Sequence, residues 1–150
     1  MIQETMLFLS SLSLGIFVGA QLTEAVLFVP GWKSLPADAF FDFYQNYGGK
    51  IHRFFAPLTI VAAVVPFFTV LYSFVSQSGN QALFGLMGFS TLAFFSTYFL
   101  YFKKANQRFF DRSLSDQQLL DELKKWGQWH WLRVGFEILA FGLSLFLLMR

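Results

Sequence analysis

Two neighbouring runs decide the fold: Phe54–Ser76, FFAPLTIVAAVVPFFTVLYSFVS, and Asn80–Phe102, NQALFGLMGFSTLAFFSTYFLYF, separated only by Gln77-Ser78-Gly79. Neither run contains a charged residue. A helix needs roughly 20 apolar residues to cross about 30 Å of hydrocarbon, and both runs are long enough. Their apolar character is continuous instead of alternating, which makes them helices and not barrel strands.

Working outward, Thr5–Val29 holds one charge, Glu24, and Trp131–Met149 holds two, Arg133 and Glu137. The expected architecture is therefore all-α: a membrane-spanning four-helix bundle in one domain, residues 1–150, with spans at about 5–29, 54–76, 80–102 and 131–149. Composition agrees. Hydrophobic residues make up 55% and aromatic residues 21% of the 150, including 22 phenylalanines. Charged residues reach 13%, about half the share of a soluble domain. Disorder is excluded by the hydrophobicity, and a net charge of +2 gives no footprint for nucleic acid. The lack of cysteine excludes a disulfide scaffold and thiolate chemistry.

Ten of the eleven Lys and Arg residues lie in or beside the first and third connections, leaving Arg150 on the other side. The positive-inside bias then makes segments 31–53 and 103–130 cytoplasmic and both termini external, in a bacterial inner (plasma) membrane. Val18-Gly19-Ala20 imitates a signal-peptidase site. However, the preceding segment has Glu4 and no Lys or Arg, and the apolar run continues past Ala20, so a retained span is expected.

The connections are structured too. Phe40, Phe43, Tyr44 and Tyr47 follow Leu35-Pro36 at helical spacing and precede Gly48-Gly49, predicting a short amphipathic interfacial helix between spans 1 and 2. Ser115 and Gln118 make a capping-box pattern, and Leu119, Leu120, Leu123 and Trp126 predict an amphipathic helix before span 4. That helix either breaks at Gly127 or continues. Ser11, Gly15, Gly19 and Thr23 form a small-residue stripe suited to close helix packing. The chain has no internal repeat, phosphate-binding glycine loop or nucleophile elbow.

Ionisable groups within a span cost on the order of 2.5–3.5 kcal/mol each, so they need partners or a purpose. Glu24 lies about 9 Å from Pro30 along its helix, and Arg133 and Glu137 lie about 5 and 10 Å beyond His130. All three occupy one layer. His52, Arg53 and Asn106 join the same end, and Trp126, His130, Arg133 and Glu137 share an arc of about 60° on a continuous helix. The bland account is a self-neutralising Arg133–Glu137 pair with interfacial anchors at the helix ends. Trp32, Trp131, Tyr98 and Tyr101 are read as such anchors. For Glu24, His52, His130, Arg133 and Glu137, convergence favours a functional pocket. A histidine base, an arginine beside a developing enolate, and tryptophans stacked on a ring suit proton abstraction from a flat apolar substrate. Two imidazoles and two carboxylates could also take iron or zinc. The spacings of bundle metal sites are missing, so metal is the weaker reading and no cofactor is expected.

Thr23-Glu24-Ala25, Pro30-Gly31-Trp32, Leu35-Pro36, Tyr44-Gln45-Asn46-Tyr47, His52-Arg53, Pro57-Leu58-Thr59, Asn106-Gln107-Arg108, Trp126 and Trp129-His130-Trp131-Leu132-Arg133 together cover nearly the whole chain. In these stretches the sequence resembles the anthrone oxygenase-like family of small four-helix membrane proteins, most of whose bacterial members have no assigned function. The resemblance implies oxidation of an anthrone to an anthraquinone by molecular oxygen without an organic cofactor. Matching motif positions are Glu24, His52, Asn106, Trp126, His130 and Arg133. The roles expected are His130 or His52 as base, Arg133 and Asn106 as oxyanion stabilisers, Trp126 and Trp129 as a stacking wall, and Glu24 as the group orienting a histidine. Glu137 and Arg53 complete the substrate-binding set. The expected partners are lipid and a hydrophobic aromatic molecule. The alternative is a non-enzymatic binder, or a subunit of an oligomer or larger membrane complex. An ion pathway ranks third, because the outer half of each span lacks ionisable residues.

Overall fold

The computed structural model describes residues 1–150. It contains four long helices and no strand: α1 (Ile2–Ser34), α2 (Ala37–Val75), α3 (Gln81–Phe110) and α4 (Asp116–Leu148). All four are long and apolar enough to cross a membrane, the architecture of an integral membrane protein. α1 packs against α2 and α4, and α3 packs against the same two, so the helices form a square with α1 and α3 on a diagonal. Short connections make each helix antiparallel to the next, an up-down-up-down bundle.

The breaks between helices follow from local chemistry. Proline disfavours the helical region for the residue before it, and Leu35 accordingly turns extended (φ −78°, ψ 144°) ahead of Pro36. The turn between α2 and α3 needs positive φ at Gln77 (53°) and Gly79 (75°). Asn80 then caps α3, its side-chain oxygen accepting from the backbone N–H groups of Ala82 and Leu83. The expected capping box of Ser115 and Gln118 starts α4.

The interior is built in layers. Leu7, Phe84, Met87 and Leu147 pack at the end holding the termini, and Leu14, Phe17, Ala62, Phe94 and Ala140 pack in the middle. Around Trp32, Phe40, Phe102, Phe109 and Trp126 lies the largest cluster, at the end holding the basic residues. Many other large apolar side chains, such as Phe8, Leu12, Phe68, Leu92 and Leu132, are exposed on the bundle surface, as hydrocarbon contact permits. Without a hydrophobic drive between spans, close approach and hydroxyl pairs hold the bundle. Ser10 pairs with Thr69 at 2.8 Å and Ser11 donates to Ser144 at 3.0 Å. A methyl group on Gly15 would come within 3.1 Å of the Phe141 ring. The small-residue stripe serves packing only over Ser11 and Gly15. Gly19 has no neighbour near its missing methyl group, and both Gly19 and Thr23 are exposed.

One sequence expectation changes, and one open alternative is resolved. The segment from Phe40 to Tyr47 is helical but is not a separate interfacial element, because α2 runs unbroken through Gly48-Gly49 to Val75. Its first turns are held on the bundle by Phe40 and Phe41, buried near Trp32 and Phe109. This packing outweighs a glycine penalty of about 1 kcal/mol per residue. α4 likewise continues through Gly127. There α1 crosses so closely that a methyl group would stand 2.9 Å from Lys33 Nζ and 3.3 Å from Val29 Cγ1. Gly127 is a packing residue, not a break.

Candidate functional site

Three helices are irregular at one level of the bundle. α1 contains a π turn at Glu24–Phe28, where the Val29 N–H reaches back to the Glu24 carbonyl, and α3 contains another at Tyr98–Phe102. α2 carries Pro57, which cannot donate to the carbonyl of Arg53. Such turns and prolines bend helices and re-aim side chains, and π turns recur at functional sites. Beside them a cavity of about 350 Å³ opens between the helices. Its walls are aromatic and aliphatic: Trp32 and Trp126 on one side, Phe55 and Ile60 from α2, and Phe95, Tyr98 and Phe102 from α3. Gly48 also lines it, and a methyl group there would press on the Tyr44 ring at 3.0 Å.

The polar groups of this cavity come from all four helices. Glu24 (6% exposed) lies on α1, one turn after Gln21. Its closest ionisable partner is His130 Nδ1, 3.9 Å from Oε2, beyond hydrogen-bonding reach. His130 Nε2 lies 3.0 Å from the Gln21 carbonyl. A carbonyl can only accept, so Nε2 carries a proton, and Nδ1, which has no hydrogen-bond partner, faces Glu24. Arg133 Nε donates to Glu137 Oε1 at 3.1 Å, and one terminal nitrogen donates to Thr59 at 3.3 Å. The guanidinium sits 5.4 Å from the ring centres of both Phe17 and Phe102, a cation–π clamp that fixes it in a dry setting. Trp126 Nε1 donates to Asn106 Oδ1 at 2.9 Å, which leaves the Asn106 amide N–H groups as donors.

Glu24, His52, Asn106, Trp126 and Arg133 line the cavity. His52 stands at its exposed edge, its ring 6.5 Å from that of Tyr98. His130 and Glu137 belong to the same contact network but not to the wall. Both are fully buried, and His130 lies behind Trp126, the two rings stacked at 5.0 Å. His130 therefore stands behind the cavity wall and not on it. Its neighbour Trp129 is also absent from the wall. The side chain turns to the α3–α4 seam and stacks on Tyr101 at 5.1 Å, beside a Tyr101–Glu122–Arg108 hydrogen-bonded set. Arg53 is exposed and bonds back to the Gly49 carbonyl. No group of three or more His, Asp or Glu side chains is arranged to hold a metal ion.

Several lining residues escape a reading of the sequence. Trp32 and Tyr101, expected at the interface as anchors, are buried at 5% and 8% exposure, and Trp32 and Tyr98 line the cavity. Trp131, half exposed, fits the anchor description. Gln21 is the most informative omission: it is fully buried, lines the cavity, and neither its Oε1 nor its Nε2 has a partner. An amide inside an apolar run, one turn from Glu24, was the available signal. No known protein family, curated protein or solved structure matches the chain.

Proposed function

We propose that the cavity binds a flat, apolar phenolic ketone of the anthrone type and oxidises it with molecular oxygen, without an organic cofactor. The observation that carries this reading is the Glu24 carboxylate, free of hydrogen bonds at the edge of an aromatic-walled space that Arg133 shares. A carboxylate so placed is a base for the acidic methylene opposite the ring ketone, and Arg133 and Asn106 supply donors for the enolate oxygen. Glu24 replaces His130 as the proton acceptor, and His130 Nδ1 behind it is the next acceptor in line.

The reaction balances with oxygen as the only co-reactant. The methylene carbon gives a proton to Glu24, and the resulting enolate passes one electron to O2. Coupling of the radical pair forms a carbon–oxygen bond, and the proton completes a hydroperoxide. Loss of the remaining hydrogen on that carbon as a proton, with cleavage of the O–O bond, leaves a carbonyl and water. The protein's share is a base, an anion-stabilising cation and exclusion of water.

A second reading, a non-enzymatic binder or complex subunit, draws on the Arg133–Glu137 pair. It closes on itself and ties α4 to Thr59 of α2, as a register device would. Oxygen uptake separates the two. Purified protein in nanodiscs should accelerate anthrone-dependent uptake over protein-free discs. Glu24→Gln should lower it by about 100-fold or more, the low end for a lost general base, with unchanged elution and thermal unfolding. Uptake equal to that of empty discs leaves the structural reading, and accelerated uptake unaffected by Glu24→Gln removes Glu24 as the base.

A further inference from the structure

The seam between α2 and α3 is closed at one end and open at the other. Near the turn that joins them the helices are close: a methyl group on Gly88 would meet Val70 at 3.2 Å, and one on Gly85 would meet Phe74 at 3.8 Å. Toward the basic end the cavity separates them. There Ile60 of α2 and Phe99 of α3 both line the cavity and are 54% and 62% exposed on the bundle surface. They lie in the uncharged runs, where the surrounding medium is hydrocarbon. At the basic end the same cavity is lined by the exposed His52 and the half-buried Asn106, within a few residues of Lys50, Arg53, Lys103 and Lys104. The opening therefore straddles the border between a charged collar and an apolar belt. At the inner end, Gln21 offers an amide donor and an amide acceptor with no partner of their own. Unpaired buried amide atoms cost free energy that a matching ligand recovers.

We propose that the cavity takes its ligand sideways from the bilayer through the α2–α3 seam, and that this ligand is a tailed amphiphile. Beside the carbonyl that Arg133 and Asn106 hold, its ring carries a hydroxyl that donates to and accepts from the Gln21 amide, and its alkyl chain leaves between Ile60 and Phe99 into lipid. The inference rests on the ring-binding reading above and adds the route and the tail. A water-borne ligand would have no use for the exposed apolar lip.

The absence of cysteine makes the test clean. Ile60→Cys and Phe99→Cys, with Leu71→Cys elsewhere on α2 as control, are labelled with bimane and placed in phosphatidylcholine nanodiscs. Two probes are titrated: 1-hydroxyanthraquinone, and its decyl derivative carrying a nitroxide on the chain. Ring binding is read from saturable quenching of tryptophan fluorescence, since Trp32 and Trp126 line the cavity. The expected result is saturable ring binding by both probes. The nitroxide chain should quench bimane at positions 60 and 99 several-fold more than at 71, reversed by excess unlabelled decyl probe. Saturable ring binding with equal bimane quenching at all three positions overturns the lateral route and leaves ring binding standing. No saturable tryptophan quenching by either probe overturns both.

Discussion

Glu24 and Arg133 bring opposite charges to the wall of one cavity in the interior of the bundle. Residue counts from the helix ends place Glu24, Arg133 and Glu137 at one depth, and each has its own partner there: Glu24 faces His130 at 3.9 Å, and Arg133 pairs with Glu137 at 3.1 Å. Depth follows from a fixed rise per residue. Which member of a stripe faces a cavity, and which faces a neighbouring helix, does not. Hence Trp126 and His130, four residues apart, could not be ranked, and the indole covers the imidazole. Neutral residues such as Gln21 and Thr59 incur a smaller penalty in a span than a charge and were harder to flag. The Arg133–Glu137 pair gives a prediction at this scale. Arg133→Leu leaves a fully buried Glu137 carboxylate without its cation, which should cost about 3–5 kcal/mol. Arg133→Leu combined with Glu137→Leu should recover most of that loss, measured by reversible unfolding in mixed micelles. A double variant as unstable as the single one would show that the pair's geometry, and not an orphaned charge, sets the cost.

At the scale of the element, helix type was legible from apolar runs, but the ends and irregularities of the helices were not. Gly48-Gly49 and Gly127 resemble terminators, yet neighbouring side chains decide their conformation: Phe40 and Phe41 hold the start of α2 on the bundle, and Val29 and Lys33 fill the space over Gly127. The π turns in α1 and α3 have no compositional signature, although both accompany the cavity. Of the two prolines inside α2, Pro57 and Pro66, the first lies beside the lining residues Ala56 and Thr59, and it yields an opposed pair of effects. Pro57→Ala restores a donor to the Arg53 carbonyl and should raise stability by roughly 1 kcal/mol or more. It should also straighten α2, narrow the cavity and weaken ring binding several-fold by tryptophan quenching. Greater stability with unchanged binding would separate the proline from the cavity.

For the whole molecule, the four-helix bundle could be read almost entirely from where charges are missing, because the bilayer fixes span length and forbids open backbone. Neighbour relations in the square needed the structure. The crowding of basic residues at one end leads to a proposed orientation, with that end cytoplasmic. Single-cysteine variants test it: in intact cells an impermeant maleimide should label Ser78→Cys, and should label Ser113→Cys only after lysis. The reverse pattern would invert the bundle.

Isotope labelling decides whether this bundle encloses a site for oxidation of an anthrone-type ring. Purified protein in nanodiscs is supplied with anthrone under ¹⁸O2, and the product is analysed by mass spectrometry. The expected product carries one labelled oxygen in the new carbonyl, formed well above the rate in empty nanodiscs and lost with Glu24→Gln. Product formation at the rate of empty nanodiscs, or labelled product undiminished by Glu24→Gln, would contradict it.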